Sequence, residues 1–150
     1  MFRGRFKHTL DGKGRLSIPT KFRDVLTAKD NQGMIITNFN INGARCLDVY
    51  PIDAWLRVEE EALKKPKFDP VMMRFQTYYL GSASECALDN QGRILIPPGL
   101  RTYANLKRDV VLVSMLEMFR VWDQEAFQKI FTEAEEDIVQ NPQSLGGLGL

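Results

Sequence analysis

The chain has 150 residues, 44% hydrophobic and 26% charged, with a formal net charge of +1, enough to bury one good core in one domain or in two small halves that share it. No apolar run approaches the ~20 residues of a membrane span, and the positive start MFRGRFKHTL lacks the apolar stretch of a signal peptide. Cys46 and Cys86 stand apart with no metal-like spacing, so a cytoplasmic protein with reduced thiols and no metal or other cofactor is expected.

In chain order, Phe2 to Leu10 reads as a strand, Asp11-Gly12-Lys13-Gly14 as a turn, and Arg15 to Ile18 as the returning strand of a hairpin. Pro19 ends the pairing because it has no N–H to donate, and Thr20 is placed to cap a short helix over 21–27. Met34 to Thr37 and Leu47 to Tyr50 read as strands joined through the polar NFNING segment. Trp55, Val58 and Ala62 give residues 53–64 a helical stripe. The segment PVMMRFQTYYLG (70–81) is apolar nearly all round, which predicts a helix buried between layers or subunits.

The order then repeats. Ser84 to Leu88, the turn Asp89-Asn90-Gln91-Gly92, and Arg93 to Ile96 form a second predicted hairpin, stopped by Pro97 and Pro98. A short helix follows over 99–105, then strands Val110 to Met115 and Phe119 to Trp122. Phe127, Ile130, Phe131, Ala134 and Ile138 make 123–140 an amphipathic helix with an acidic outer face, and NPQSLGGLGL (141–150) reads as a loose tail. LDGKGRLSIP (10–19) and LDNQGRILIP (88–97) match at six of ten positions, 78 residues apart, and LDVYPIDAW (47–55) resembles FRVWDQEAF (119–127) 72 residues on. This is an internal duplication, and it divides the chain into half-domains at 1–80 and 81–140.

Within each turn, Asp accepts backbone N–H bonds, Gly takes the left-handed position and Arg pairs with Asp; Asp11, Gly14, Asp89, Gly92 and Arg93 are therefore expected to be structural. The first copy carries more. Residues 1–26 hold seven Lys and Arg against two Asp, a balance of +5, while 117–137 holds seven acids against two bases. Strand alternation puts Arg3, Arg5 and Lys7 on one face and Phe2, Phe6 and Leu10 on the other. The second copy has Glu85 at the place of Lys7 and Leu95 at the place of Ser17, which predicts a covered strand. A two-stranded ribbon with a cationic face suits the DNA major groove, so Arg3, Arg5, Lys7, Lys13, Arg15, Lys21 and Arg23 are the candidate DNA-binding residues, with Arg15 reading bases.

MFRGRFKHTLDGKGRLSIPTKFRDVL and LDNQGRILIPPGLR closely resemble the two Asp-x-x-x-Arg blocks of the MraZ family of bacterial transcriptional regulators, and the likeness runs in order over residues 1–140. It implies an α+β fold of two pseudo-symmetric swapped-hairpin (AbrB/MazE-like) half-domains forming a small β-barrel with flanking helices. It further implies a nucleoid-associated protein assembled as a homo-oligomeric ring of eight or more subunits. Such a ring would read short direct repeats in double-stranded DNA upstream of its own gene, in the division and cell-wall cluster. The Gly-rich tail after Asn141 has no place in that pattern.

An enzyme is not expected. His8 is the only histidine, Glu59, Glu60 and Glu61 splay around a helix, and the glycines of the turns lack the helix start of a phosphate loop. No small-molecule substrate or membrane contact is expected. The alternative is a non-enzymatic oligomeric scaffold or an antitoxin-like protein-binding module.

Overall fold

The computed structural model describes residues 1–28 and 33–149. The first repeat contains β1 (Arg5–Thr9), β2 (Arg15–Ser17), α1 (Thr20–Ala28), β3 (Gly33–Ile41), β4 (Ala44–Pro51) and α2 (Ile52–Leu63). Helix α3 (Pro70–Phe75) runs on into a π-helical turn at Gln76–Leu80. The second repeat contains β5 (Ser84–Ala87), β6 (Arg93–Leu95), α4 (Pro98–Tyr103), β7 (Asp109–Ser114), β8 (Phe119–Asp123) and α5 (Gln124–Gln140). Beyond it Pro142–Leu148 winds into 3-10 turns, exposed apart from half-buried Leu145; Leu150, the end of the tail, lies outside the described residues.

Local chemistry accounts for the boundaries. Pro19 and Pro97 cannot donate to a ladder, and their carbonyls accept the first N–H bonds of α1 and α4, from Phe22 and Arg23 and from Leu100 and Arg101. Asn42 and Gly43, at φ +51° and +88°, make the tight turn of the β3–β4 hairpin. Asp69 and Asp123 accept backbone N–H bonds at the starts of α3 and α5. Thr20 does not cap: it is the first residue of α1, and its hydroxyl accepts from Arg23 Nη2 at 2.9 Å.

The pairing of strands departs from the two predicted hairpins. Six strands form one antiparallel sheet in the order β1-β7-β8-β4-β3-β5, and β2 pairs with β6 in a separate ribbon. Thus β1 joins β7 of the other repeat with Arg5 opposite Val113, and β5 joins β3 of the first with Glu85 opposite Ile35. Among the described residues, the backbone pairing left of the first hairpin is the bridge Leu10–Leu16 and the turn bonds. Exchanging equivalent strands reverses the sheet order onto itself, so a pseudo-two-fold axis relates the repeats. It passes between Leu16 and Ile94, paired residues 78 positions apart, and between Asp48 and Arg120, paired residues 72 apart.

The sheet is open, with β1 and β5 at its edges, and no pairing among the described residues closes it into the expected barrel. One core lies between the front of the sheet and a lid made of the β2–β6 ribbon, α1 and α4. Leu16, Ile18, Ile94 and Ile96 enter it from the ribbon, and Met34, Ile36, Leu47, Val49, Val110 and Leu112 from the sheet. Phe2, Phe6, Phe22 and Phe119 meet there with ring centroids 5.0–5.3 Å apart. Behind the sheet, Ile35, Trp55 and Tyr79 form a second cluster under α2 and α3. Segment 70–81 is not buried on all sides: Met72 and Tyr79 face inward, while Val71 and Met73 are exposed.

Candidate nucleic-acid interface

Each turn is built by one aspartate. Asp11 Oδ1 accepts from the backbone N–H of Lys13 and of Arg15, both at 2.9 Å, and Oδ2 accepts from Arg15 Nε at 2.6 Å. Asp89 does the same with Gln91 N at 2.8 Å, Arg93 N at 2.9 Å and Arg93 Nε at 2.9 Å. The Arg15 backbone N–H is the leading reason that the Asp11 carboxyl is held down at about 2, with the Arg15 side chain and the Lys13 N–H adding to it; Asp89 is lowered likewise, led by the Arg93 N–H. Each carboxylate grips its arginine by Nε. Among the described residues, no hydrogen bond or ion pair engages the terminal amino groups of Arg15 or Arg93, which leaves the forked end of each guanidinium available.

Gly14 and Gly92 lie at φ +83° and +73°, and both are buried. A side chain there would strike an arginine of the opposite repeat: Arg101 at Gly14 and Arg23 at Gly92. Their carbonyls accept from Ile96 N at 2.9 Å and Ile18 N at 3.0 Å, which ties each turn to the strand of the other repeat. Arg101 Nε donates to Ile96 O at 3.1 Å; Arg23 Nε is buried with no partner among the described residues.

The outer face of the ribbon carries residues from both repeats. Arg15 stands opposite Leu95 and Ser17 opposite Arg93, while Leu16 and Ile94 fill the inner face. The expected covering of the second copy does not hold, because Leu95 is 57% exposed and Arg93 points outward as Arg15 does. Glu85, in place of Lys7, told only of β5, which lies in the large sheet away from this ribbon.

The seven candidate cations divide between two faces. Lys13 and Arg15 lie on the ribbon side, and Lys21 and Arg23 on α1 beside it. On β1, Phe6 turns toward the core and His8 Nδ1 donates to Ser17 O at 2.7 Å, so the ribbon covers the even-numbered face of that strand. Arg5 faces the other way, with its guanidinium 5.3 and 4.9 Å from the Phe127 and Phe131 rings of α5. Lys7 is exposed and shares its alternation, and Arg3, ahead of the strand beyond Gly4 at φ +94°, is exposed as well. The single basic face expected of the first hairpin is therefore split by the core. Sequence reasoning passed over Arg101, although it stands 78 residues after Arg23, the offset of the repeat itself.

These features define an α+β protein of two interlocked repeats that presents two Asp-anchored arginines on one shared ribbon. The chain belongs to the MraZ family: the family model described as "MraZ protein, putative antitoxin-like" matches residues 1–77 and 79–145. It is 42% identical over 140 residues to the transcriptional regulator MraZ of Syntrophobacter fumaroxidans, covering 86% of this chain and 91% of that one. Against the regulator of the same name from Desulforapulum autotrophicum, identity is 37% over 152 positions and all of both chains. Against that from Haemophilus influenzae it is 40% over 138 residues, covering 92% and 88%.

Proposed function

We propose that this chain is a sequence-specific DNA-binding transcriptional regulator and that the β2–β6 ribbon is its reading head. The observation that carries the reading is the shared outward face of Arg15 and Arg93, each held by a carboxylate through Nε alone. A two-stranded ribbon fits the major groove, where the free fork of arginine can bond guanine O6 and N7, and exposed Leu95 suits a thymine methyl. Lys13, Lys21 and Arg23 then serve phosphates at the ribbon's flanks, with Arg3 and Lys7 reaching DNA from a different face and Arg5 anchored to α5. The names of the relatives support transcriptional regulation.

The finer reading follows the family likeness: swapped-hairpin half-domains of the AbrB/MazE type, a cytoplasmic and nucleoid-associated protein, and direct repeats upstream of the division and cell-wall cluster. We place the subunit in a ring of eight or more. Val71, 64% exposed, lines an apolar groove between α2 and α3 with Val58, Met72 and Phe75, which supports an apolar contact between subunits. Several ribbons on repeated sites gain affinity through effective concentration when the two spacings agree.

The test is fluorescence anisotropy with a duplex from immediately upstream of the protein's own gene and a scrambled duplex of equal composition. Arg15→Ala and Arg93→Ala should each lose about 1–3 kcal/mol of discrimination while the fold is kept. Wild-type protein that binds neither duplex at low salt would instead leave an oligomeric scaffold.

A further inference from the structure

The ribbon is nearly two-fold symmetric, and a symmetric head would lie on DNA equally well in either direction. Its surroundings are not symmetric. Two clefts flank it at pseudo-equivalent places, each between a turn of one repeat and a helix of the other. The first is lined by Asp11 and Gly12 of the first turn and by Arg101, Asn105, Lys107 and Arg108 of α4 and its following loop. The second is lined by Asp89 and Asn90 of the second turn and by Thr20, Arg23, Asp24 and Thr27 of α1.

Among the described residues, the charges around the two clefts are unequal. Around the first, Arg101, Lys107 and Arg108 face the single acid Asp11, and Lys13 sits at the adjoining turn tip. Around the second, Asp24 and Asp89 face Arg23, with Lys21 adjoining on α1, and Gln91 occupies the turn position that corresponds to Lys13. The Arg108 carbonyl accepts from Leu10 N at 2.7 Å, which pins the cationic loop of the second repeat against the first turn. Lys107 is shared with buried Asp123 at 3.1 Å, whereas Arg108 is exposed and has no side-chain partner among the described residues. On the side away from the turn, the same two cations border Asp109, Asp123 and Glu125, so their charge is unopposed chiefly toward the ribbon.

We infer that the first cleft is the dominant DNA-phosphate clamp, made by Lys13 of the first repeat with Arg101, Lys107 and Arg108 of the second, and that it sets the direction in which the ribbon lies on its site. The inference rests on the DNA-binding reading above. Phosphates repeat identically along any duplex, so the clamp adds affinity without sequence preference. Base reading stays with Arg15 and Arg93; orientation comes from holding the backbone more strongly at the first cleft than at the second, where Asp24 and Asp89 offset Lys21 and Arg23. A near-symmetric head thereby suits sites repeated in the same direction.

The experiment uses the full chain, the upstream duplex and the scrambled duplex, titrated by anisotropy across a salt series. Arg108→Ala and Lys13→Ala should weaken binding to both duplexes by the same factor, and each should lower the slope of log K against log salt by about one. Arg108→Lys should restore the slope, and Gln91→Ala should leave it unchanged. Thermal melting of exposed Arg108→Ala should match wild type. Single neutral methylphosphonates are then placed on either flank of the site: one flank should be more sensitive than the other in wild type, and Arg108→Ala should remove the difference. Wild-type salt slopes in Arg108→Ala and Lys13→Ala, or equal sensitivity of the two flanks, would overturn the clamp. Failure of wild type to bind either duplex would overturn the DNA-binding reading itself, which is a distinct result.

Discussion

Asp48 and Arg120 occupy equivalent positions of the two repeats, and they are bonded to each other. They face one another across β4 and β8 with Arg120 Nε donating to Asp48 Oδ1 at 2.8 Å. Their side chains are only 2% and 18% exposed, and Tyr79 OH donates to the other carboxylate oxygen at 2.6 Å. The duplicated sequence has thus diverged into opposite charges at the one sheet position where each repeat meets its own copy. A repeat pairing with itself there would set like charges together.

Breaking this pair should be costly, because removing one partner of a buried ion pair strands the other at a cost of about 3–5 kcal/mol. Arg120→Leu is expected to lose that much in chemical denaturation. Burial already raises the Asp48 carboxyl above its ordinary value, with Arg120 and Tyr79 opposing the rise. Without Arg120 that rise grows. A raised carboxyl favours the folded state while protonated and disfavours it once ionised, so the deficit of Arg120→Leu should deepen as pH rises above the ordinary carboxylate value of 3.8. A deficit that is flat or shrinks with pH would refute this account.

The two turn glycines are expected to couple to the opposite repeat. Gly14→Ala places a methyl group in a left-handed position, at about 1–2 kcal/mol, and pushes on Arg101, whose bond to Ile96 O is worth about 1 kcal/mol. In the Arg101→Ala background the substitution should cost less, and the double-mutant cycle reads the difference. Gly12→Ala, with open space around it, is the near-neutral control. Equal costs in the two backgrounds would mean that Arg101 does not buttress the turn.

The turns should be insensitive to pH through the physiological range. Asp11 is held at about 2, against an ordinary 3.8, first by the Arg15 N–H. The sign follows from a depressed carboxylate: its contribution is complete above 3.8 and is lost as pH falls through about 2. Carboxyl NMR should place the Asp11 midpoint near 2, and DNA affinity at fixed ionic strength should show no step between about pH 5 and 8 attributable to the turn. A midpoint at the ordinary value would mean that the Asp11 bonds do not persist in solution.

Both thiols should be inert in the folded protein. Burial pushes Cys46 and Cys86 up to about 12, with Asp48 adding to the effect at Cys46. The thiolate is the reactive form, so a disulfide reagent at about pH 8 should label neither cysteine until denaturant is added, and then both. Rapid labelling of either in native buffer would contradict the burial described.

Much of the fold was legible in the sequence because it depends on neighbours along the chain. The 78-residue offset, the Asp-x-x-Gly-Arg turns, the proline stops and the order of strands and helices follow from local backbone preference and from periods of 2 and 3.6, although β3 runs on to Ile41 through the NFNING segment read as a polar connection. Alternation also put Phe2, Phe6 and Leu10 correctly on the core side of β1. What the sequence could not decide was the partner of each strand. Backbone N–H and C=O groups are the same on every strand, so a local hairpin and an exchanged pairing satisfy them equally well, and alternation assigns a face but not a neighbour. The shared core decided it: Leu16 and Ile94 are both buried only when β2 and β6 lie side by side over the sheet. That choice parted Arg5 and Lys7 from Arg15, brought Arg93 beside it, and set Arg101 and Arg108 of the second repeat around the first turn, because the tertiary fold settles contacts by the burial they complete rather than by closeness in the chain.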